Sequence, residues 1–378
     1  MRNTASLVTG AVLILLTLGI IMLYSASAMA GQEQYQDPQY FFRRQLVWLI
    51  LSLCAGALLS QINYRIWRRL AVPLALVTMA LLALTLIPGI GTTVKGSSRW
   101  LRLGPLSLQP SEFAKISMIL LMAWWMSRIQ RRAREFVRGM LIPSVFLGAM
   151  LLLVFLEPDF GTTMLIALVG ASMMFVVGVR LSYLLIAGSL GLTAFFFAVM
   201  HNAERWRRII AFLNPEKYEA SEAWQLLNAR YAFVMGGATG AGLGQSVQKR
   251  FYLPEAHTDF IFAIIGEELG LAVSLMVLVL FIMIFIGGLR ISVCAPESFG
   301  KLTAFGITMM ITAQALLNIG VVTGSLPTKG LPLPFISFGG SSLLVSLSMT
   351  GILLNIARHS IAPGQEDEKL FRNRKDWA

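Results

Sequence analysis

The segment Tyr252-Leu253-Pro254-Glu255-Ala256-His257-Thr258-Asp259-Phe260 gathers two carboxylates and an imidazole just before a long apolar run. Two readings of it stand. Pro254 ends a loop, and Thr258 or Asp259 can cap the helix expected to start there. Alternatively, Asp259 sits at a water–lipid boundary and acts as a base, because partial desolvation raises a carboxylate pKa toward the working pH. His257 could belong to a Ser/His/Asp system, but no nucleophile elbow accompanies it.

Other polar residues interrupt apolar stretches. Glu267 and Glu268 follow in the same helix, where carboxylates seldom face lipid; a buried pair locking helices and a role in reaction or transport are both open. Glu112 and Lys115 are spaced to share one helix face after Gln109-Pro110-Ser111, with Ser111 as the expected cap. They form an ion pair or face a wet cavity. Lys95-Gly96-Ser97-Ser98-Arg99-Trp100 suits an interfacial anchor or a phosphate site, for which guanidinium has a matching fork of donors. Glu157-Pro158-Asp159-Phe160-Gly161-Thr162 reads as a tight turn in which Thr162 starts a helix. The glycines at 236, 237, 240, 242 and 244 match neither a dinucleotide fingerprint nor a P-loop, so close packing or a hinge is expected and no nucleotide. The Pro- and Gly-dense stretch 326–342 falls at membrane depth, where irregular backbone must line protein or water.

The elements that must hold these groups are membrane helices. Of 378 residues, 56% are hydrophobic and 13% charged, against about 25% charged in a soluble domain, and mean hydropathy is +0.70. Apolar spans are expected near 7–25, 45–62, 70–88, 112–127, 140–156, 162–179, 181–200, 259–288, 302–323 and 337–356, each long enough to cross a core about 30 Å thick. The fold expected is all-α and polytopic, with about ten transmembrane helices. The net charge of +12 is topological and does not call for nucleic acid. Lys and Arg concentrate at 65–69, 128–138 and the C-terminus, which puts both termini in the cytoplasm. Segments 89–111, 201–258 and 324–336 then face outward, where chemistry is expected. Residues 1–362 form the membrane domain, with 201–258 its large extracytoplasmic loop, and 363–378 a short cytoplasmic tail. Pieces of the large loop at 206–213 and 224–234 are expected to lie on the membrane surface or re-enter it. The motif Ala28-Met29-Ala30 imitates a cleavage site, but the run from Leu7 to Ser25 is too long for a signal peptide, so a retained first helix is expected. Cys54 and Cys294 suggest no disulfide, and the scattered His201, His257 and His359 no zinc site.

Pro327-Thr328-Lys329-Gly330 with Ser337-Phe338-Gly339-Gly340-Ser341-Ser342, together with 252–262 and 266–270, resembles the SEDS family (shape, elongation, division and sporulation). Gln109-Pro110-Ser111-Glu112, Arg99-Trp100, Asp159-Phe160-Gly161-Thr162 and Tyr24-Ser25-Ala26-Ser27 agree, in order, over nearly the whole chain. Thr328-Lys329-Gly330 and Gln248-Lys249 are similar to the division branch. Pro332, Phe335 and Phe338 lean toward the elongation branch, and Trp224-Gln225 replaces a usual Tyr-Gln.

The resemblance implies a peptidoglycan glycosyltransferase that polymerises lipid II on the outer face of the bacterial inner membrane, for the division septum or, alternatively, for elongation. It implies a class B penicillin-binding transpeptidase and other divisome proteins as partners, and Asp259 as the family's essential aspartate. Substrate contacts are expected at Arg99, Glu112, Lys115, Lys249, Lys329, Ser337 and Ser341, with Asp159, Glu255, His257, Thr258 and Glu268 in support. Arg99, Lys249 and Lys329 would meet the departing diphosphate, with Mg²⁺ or Mn²⁺ near Asp259 as a further source of charge; no haem or nucleotide is expected. Two rival readings are a lipid II flippase with Glu267, Glu268 and Lys115 along its path, and a scaffold that activates the transpeptidase.

Overall fold

The computed structural model describes residues 1–89, 91–94, 97–103, 106–201, 203–218, 223–250, 252–328 and 330–360. The expected tail 363–378, Lys329 and Lys95-Gly96 lie outside them.

Ten helices overlie the ten expected spans. They are α1 (Arg2–Tyr35), α2 (Tyr40–Gln61), α3 (Arg65–Thr85), α4 (Pro110–Ile129), α5 (Ile142–Leu156), α6 (Phe160–Val177), α7 (Leu181–Met200), α10 (Ile261–Cys294), α11 (Ser298–Val322) and α12 (Gly340–His359). The large loop contributes α8 (Ala203–Leu213) and α9 (Trp224–Gly236). Among the described residues, eight helical segments are long and apolar enough to cross a membrane on length and composition alone. The other two of the ten are α4, which carries the Glu112–Lys115 pair, and α7, whose apolar stretch is shorter. Segment 89–111 adds what the sequence reading lacked, a small antiparallel sheet in the order β1 (Thr92–Val94), β2 (Ser97–Leu103), β3 (Leu106–Leu108).

The core runs through α4, α11 and α12, with α1 and α10 packed on it. Met118, Ile119, Ile307, Met310, Ile352 and Leu353 are almost fully buried. By contrast α7 buries only Val199, near its C-terminal end, among its described side chains and turns Leu185, Leu190 and Leu192 outward. Such an all-round apolar helix is suited to lipid rather than water. Helix α8 is amphipathic: Arg207 and Arg208 are exposed while Ala211 is buried and Ile209 and Ile210 are half-buried. That pattern fits an interfacial helix.

Helix α10 breaks at Gly270, where φ is 76° and ψ is −173°. The break strands main-chain groups at membrane depth, and the glycine run satisfies them. Ala241 N donates to Glu267 O (2.8 Å), Gly242 N to Glu268 O (3.0 Å), and Leu271 N to Gly237 O (3.0 Å). A Cβ on Gly240 would lie 2.3 Å from Glu268 O, so only glycine permits this approach. Close packing is therefore the role of the run.

Two expected caps are corrected. Helix α10 starts at Ile261 with Phe260 at its N-cap and no side-chain cap, so neither Thr258 nor Asp259 serves there. Helix α4 is preceded by Gln109 with Pro110 at its first position, and the Ser111 hydroxyl instead meets Asp159 Oδ2 at 3.2 Å. The turn before α6 fits its expectation in refined form, since Asp159 caps it by accepting from Thr162 N at 3.1 Å.

Within the core, Lys115 Nζ lies 2.7 Å from Glu112 Oε1 and 2.9 Å from Gln314 Oε1. The two pair members are 0% and 3% exposed. A single substitution, Lys115→Met, strands a buried carboxylate and should cost about 3–5 kcal/mol. The double variant Glu112→Gln/Lys115→Met should recover most of that. Thermal unfolding of the detergent-solubilised protein measures both; a double variant less stable than the single would contradict the pairing.

Candidate functional site

Asp259 is half-buried at the mouth of α10, and its main chain is fastened from three sides. Asn318 of α11 donates from Nδ2 to Asp259 O and to Leu331 O, both at 2.7 Å. Ser337 Oγ donates to Thr258 O at 2.6 Å and accepts from Leu333 N at 2.8 Å. Phe338 N donates to His257 O at 3.0 Å. The bonds to residues 257–259 all end on main-chain carbonyls, so they fix the backbone while the Asp259 carboxylate lies beside Gly330. A Cβ on Gly330 would sit 2.9 Å from Asp259 Oδ2. Glycine thus leaves the space that the carboxylate occupies.

The supporting residues expected here shape the turn. Thr258 Oγ1 lies 2.9 Å from Glu255 Oε2, and Glu255 takes a left-handed φ of 59°. The His257 ring packs against Phe41 (centroids 4.8 Å apart) and Phe338 (5.8 Å). Gln45 of α2 adds two longer bonds, to Ser337 O (3.4 Å) and from Gly339 N (3.3 Å).

Several side chains expected to contact substrate have partners within the chain in this structure. Glu112 and Lys115 are sealed in the core pair, so neither reaches a bound ligand in this conformation. Lys249 Nζ is bound to Glu268 Oε1 (2.8 Å) and Ser25 Oγ (2.9 Å), with its side chain 7% exposed. Glu268 also accepts from Ser25 Oγ, while Glu267 accepts from Ser246 Oγ, Val247 N (2.7 Å) and Gln248 N (3.3 Å). The two acids therefore pin the end of the large loop to α10 and α1. Ser341 Oγ accepts from Gln109 N at 3.1 Å, and Ser337 is used as above; both hydroxyls are buried. Arg99 turns its fork onto carbonyls, with Nε 2.8 Å from Glu157 O and Nη2 2.5 Å from Pro158 O. Lys329 lies outside the described residues.

The divalent cation expected at Asp259 finds no preformed ligand set. Among the described residues no group of three or more His, Cys, Asp or Glu side chains is placed to hold a metal ion, whereas Mg²⁺ is usually held by one or two carboxylates together with substrate phosphates. No chemical step is assigned to a metal.

Sequence reasoning missed Asn318 and Gln314, which lie four residues apart on α11. Gln314 Nε2 donates to Pro332 O at 2.7 Å, and Lys115 occupies its Oε1. The available signal was two amides at one helix face inside an apolar span, where unpaired polar groups are costly.

The profile of the cell cycle protein family FtsW/RodA/SpoVE matches residues 5–362. A probable peptidoglycan glycosyltransferase FtsW of Trichlorobacter lovleyi is 46% identical over 347 residues, covering 92% of this chain and 91% of its own. One chain of a peptidoglycan synthase complex that coordinates polymerization and crosslinking superposes with a TM-score of 0.76 at 25% identity, covering 93% of this chain and 96% of that one. The rod shape determining protein RodA of Thermus thermophilus gives 0.70 at 26% identity, covering 94% and 97%.

The turn between α5 and α6 carries a titrating group. Burial pushes the Glu157 carboxyl up to about 8, with Asp159 adding to the rise. Geometry agrees with the neutral form. The single Thr85 hydroxyl proton lies within reach of both Leu82 O (2.7 Å) and Glu157 Oε1, and both are satisfied when Glu157 carries a proton and donates to Thr85. An unfolded chain releases this proton near pH 4.5 and the folded one near 8. Folding stability from this group is therefore full below about pH 4.5 and is lost as pH rises through 8. Melting temperature should fall between pH 5 and 8 in the wild type and vary less in Glu157→Gln. Equal slopes in a buffer series would exclude Glu157 as the source.

Proposed function

The chain belongs to the FtsW/RodA/SpoVE family of cell cycle proteins, and from that premise we propose that it extends glycan strands from lipid II with Asp259 as the general base. It is a multi-pass membrane peptidoglycan glycosyltransferase of the FtsW type. The polymerisation step forms a bond between the acceptor 4-oxygen and the donor anomeric carbon. The bond from that carbon to the diphosphate breaks, and undecaprenyl diphosphate leaves with the electron pair. The proton of the acceptor hydroxyl passes to Asp259, a contribution of about 10²–10⁴-fold for a well-placed base.

The observation that carries this assignment is the contrast among acids. Glu112, Glu267 and Glu268 are at most 3% exposed. Asp259 is half-buried at a helix mouth, on a backbone fastened through carbonyls. The same burial weakens the translocation reading, since Glu267, Glu268 and Lys115 are buried and hydrogen-bonded within the core.

The working assembly proposed pairs this chain with a class B penicillin-binding transpeptidase at the division septum. The resemblance to a chain from a polymerising and crosslinking complex supports the pairing. FtsW naming of the relatives supports the septum over the elongating wall.

Polymer formation from labelled lipid II by the purified pair tests the base. Asp259→Asn should lower the yield at least about 100-fold while melting temperature and partner binding stay unchanged. Equal yields from Asn and Asp forms would remove Asp259 from the chemistry.

A further inference from the structure

Helix α11 sends two amides, one turn apart, into the irregular backbone around Asp259. Gln314 Nε2 donates to Pro332 O, while Asn318 Nδ2 donates to both Asp259 O and Leu331 O, all at 2.7 Å. Asn318 is 2% exposed. It is the residue whose single side chain joins the turn carrying the carboxylate to the loop that faces it.

We infer that Asn318 is a positioning residue for glycosyl transfer, clamping the Asp259 main chain to the Leu331 main chain so that the carboxylate stays over Gly330. The inference rests on the proposed role of Asp259. One amide nitrogen carries two protons, and here each has its own carbonyl. The bonds set the separation of the two segments, and Gly330 sets how closely the carboxylate and the facing loop approach, since a Cβ there would meet Oδ2 at 2.9 Å. The orientation of the amide follows from its partners, because its oxygen in place of the nitrogen would confront two carbonyl oxygens. Asparagine is therefore needed here for its donors. Aspartate, with the same shape, would be repelled by both carbonyls, and leucine would leave both unpaired in the core.

Loss of the clamp displaces the base relative to the acceptor hydroxyl, and small displacements of a reacting group are costly. The experiment measures lipid II polymerisation by the complex with its transpeptidase, alongside melting temperature. Asn318→Leu and Asn318→Asp should each lower kcat about 10–100-fold with KM for lipid II within about threefold, as loss of a transition-state interaction requires. In the Asp259→Asn background, Asn318→Leu should cause no further loss, because both act through one carboxylate. Gly330→Ala should reproduce the kcat defect without touching α11, which keeps the test open if the Asn318 variants fold poorly.

A wild-type kcat in folded Asn318→Leu, or a further tenfold loss on top of Asp259→Asn, overturns the positioning role. Full activity in Asp259→Asn overturns the base assignment instead, so the two failures are distinguishable.

Discussion

The arrangement at the outer end of this bundle depends on one constraint: at membrane depth a backbone group released from a helix must find another partner. Lipid offers none, and each unpaired amide or carbonyl costs several kcal/mol. The chain leaves helical geometry at two such places. At Gly270 the freed carbonyls of Glu267 and Glu268 are taken by amides of the glycine run. Around 257–259 and 331–338 the carbonyls are taken by side chains of α11 and by Ser337. The first solution uses glycine and backbone, and it gives a close-packed seam. The second uses amides and a hydroxyl, which hold two irregular segments in register without filling the space between them.

Charges obey the same economy. Lys115 with Glu112, and Lys249 with Glu268, are each buried and each tied to a further side chain, Gln314 and Ser25 respectively. Replacing a buried pair with apolar groups often leaves stability unchanged, so pairing alone is weak evidence for a stabilising role. Here each pair has a geometric consequence. Lys115 occupies the oxygen of Gln314 and so directs its nitrogen to Pro332, while Lys249 and Glu268 moor the end of the large loop beside α1.

The spans were legible in the sequence because length and apolarity alone decide whether a segment crosses a membrane, and ten helices coincide with ten apolar runs. The sheet at 92–108 was not, since its strands are three to seven residues long and sit among Gly and Pro. The caps at Ser111 and Thr258 failed for a related reason. A hydroxyl beside a helix start can serve that helix or a neighbour, and only tertiary placement shows that Asp159 and Glu255 compete for them. Asp259 was chosen through motif and position, and it is half-buried at the mouth of α10. The cations expected to meet diphosphate were read by charge type alone, and charge type does not reveal that a buried lysine is already spoken for. Asn318 and Gln314 escaped notice because they resemble ordinary helix residues until the carbonyls opposite them are seen.

A single carboxylate as the proposed base also suits the chemistry. A glycosidase cleaves a sugar from a poor alkoxide leaving group and therefore employs two acids, one to protonate the departing oxygen. A donor carried on diphosphate brings a leaving group that departs as a stable anion and needs no proton. Only the attacking hydroxyl must be deprotonated, which is work for one base. On this reasoning the remaining acids are free to serve the fold, and their burial at Glu112, Glu267 and Glu268 follows without any loss of catalytic capacity. The precision of the proposed site then rests on how firmly the Asp259 carboxylate is held, and so on the carbonyls of Asp259 and Leu331 and the Asn318 amide that spans them.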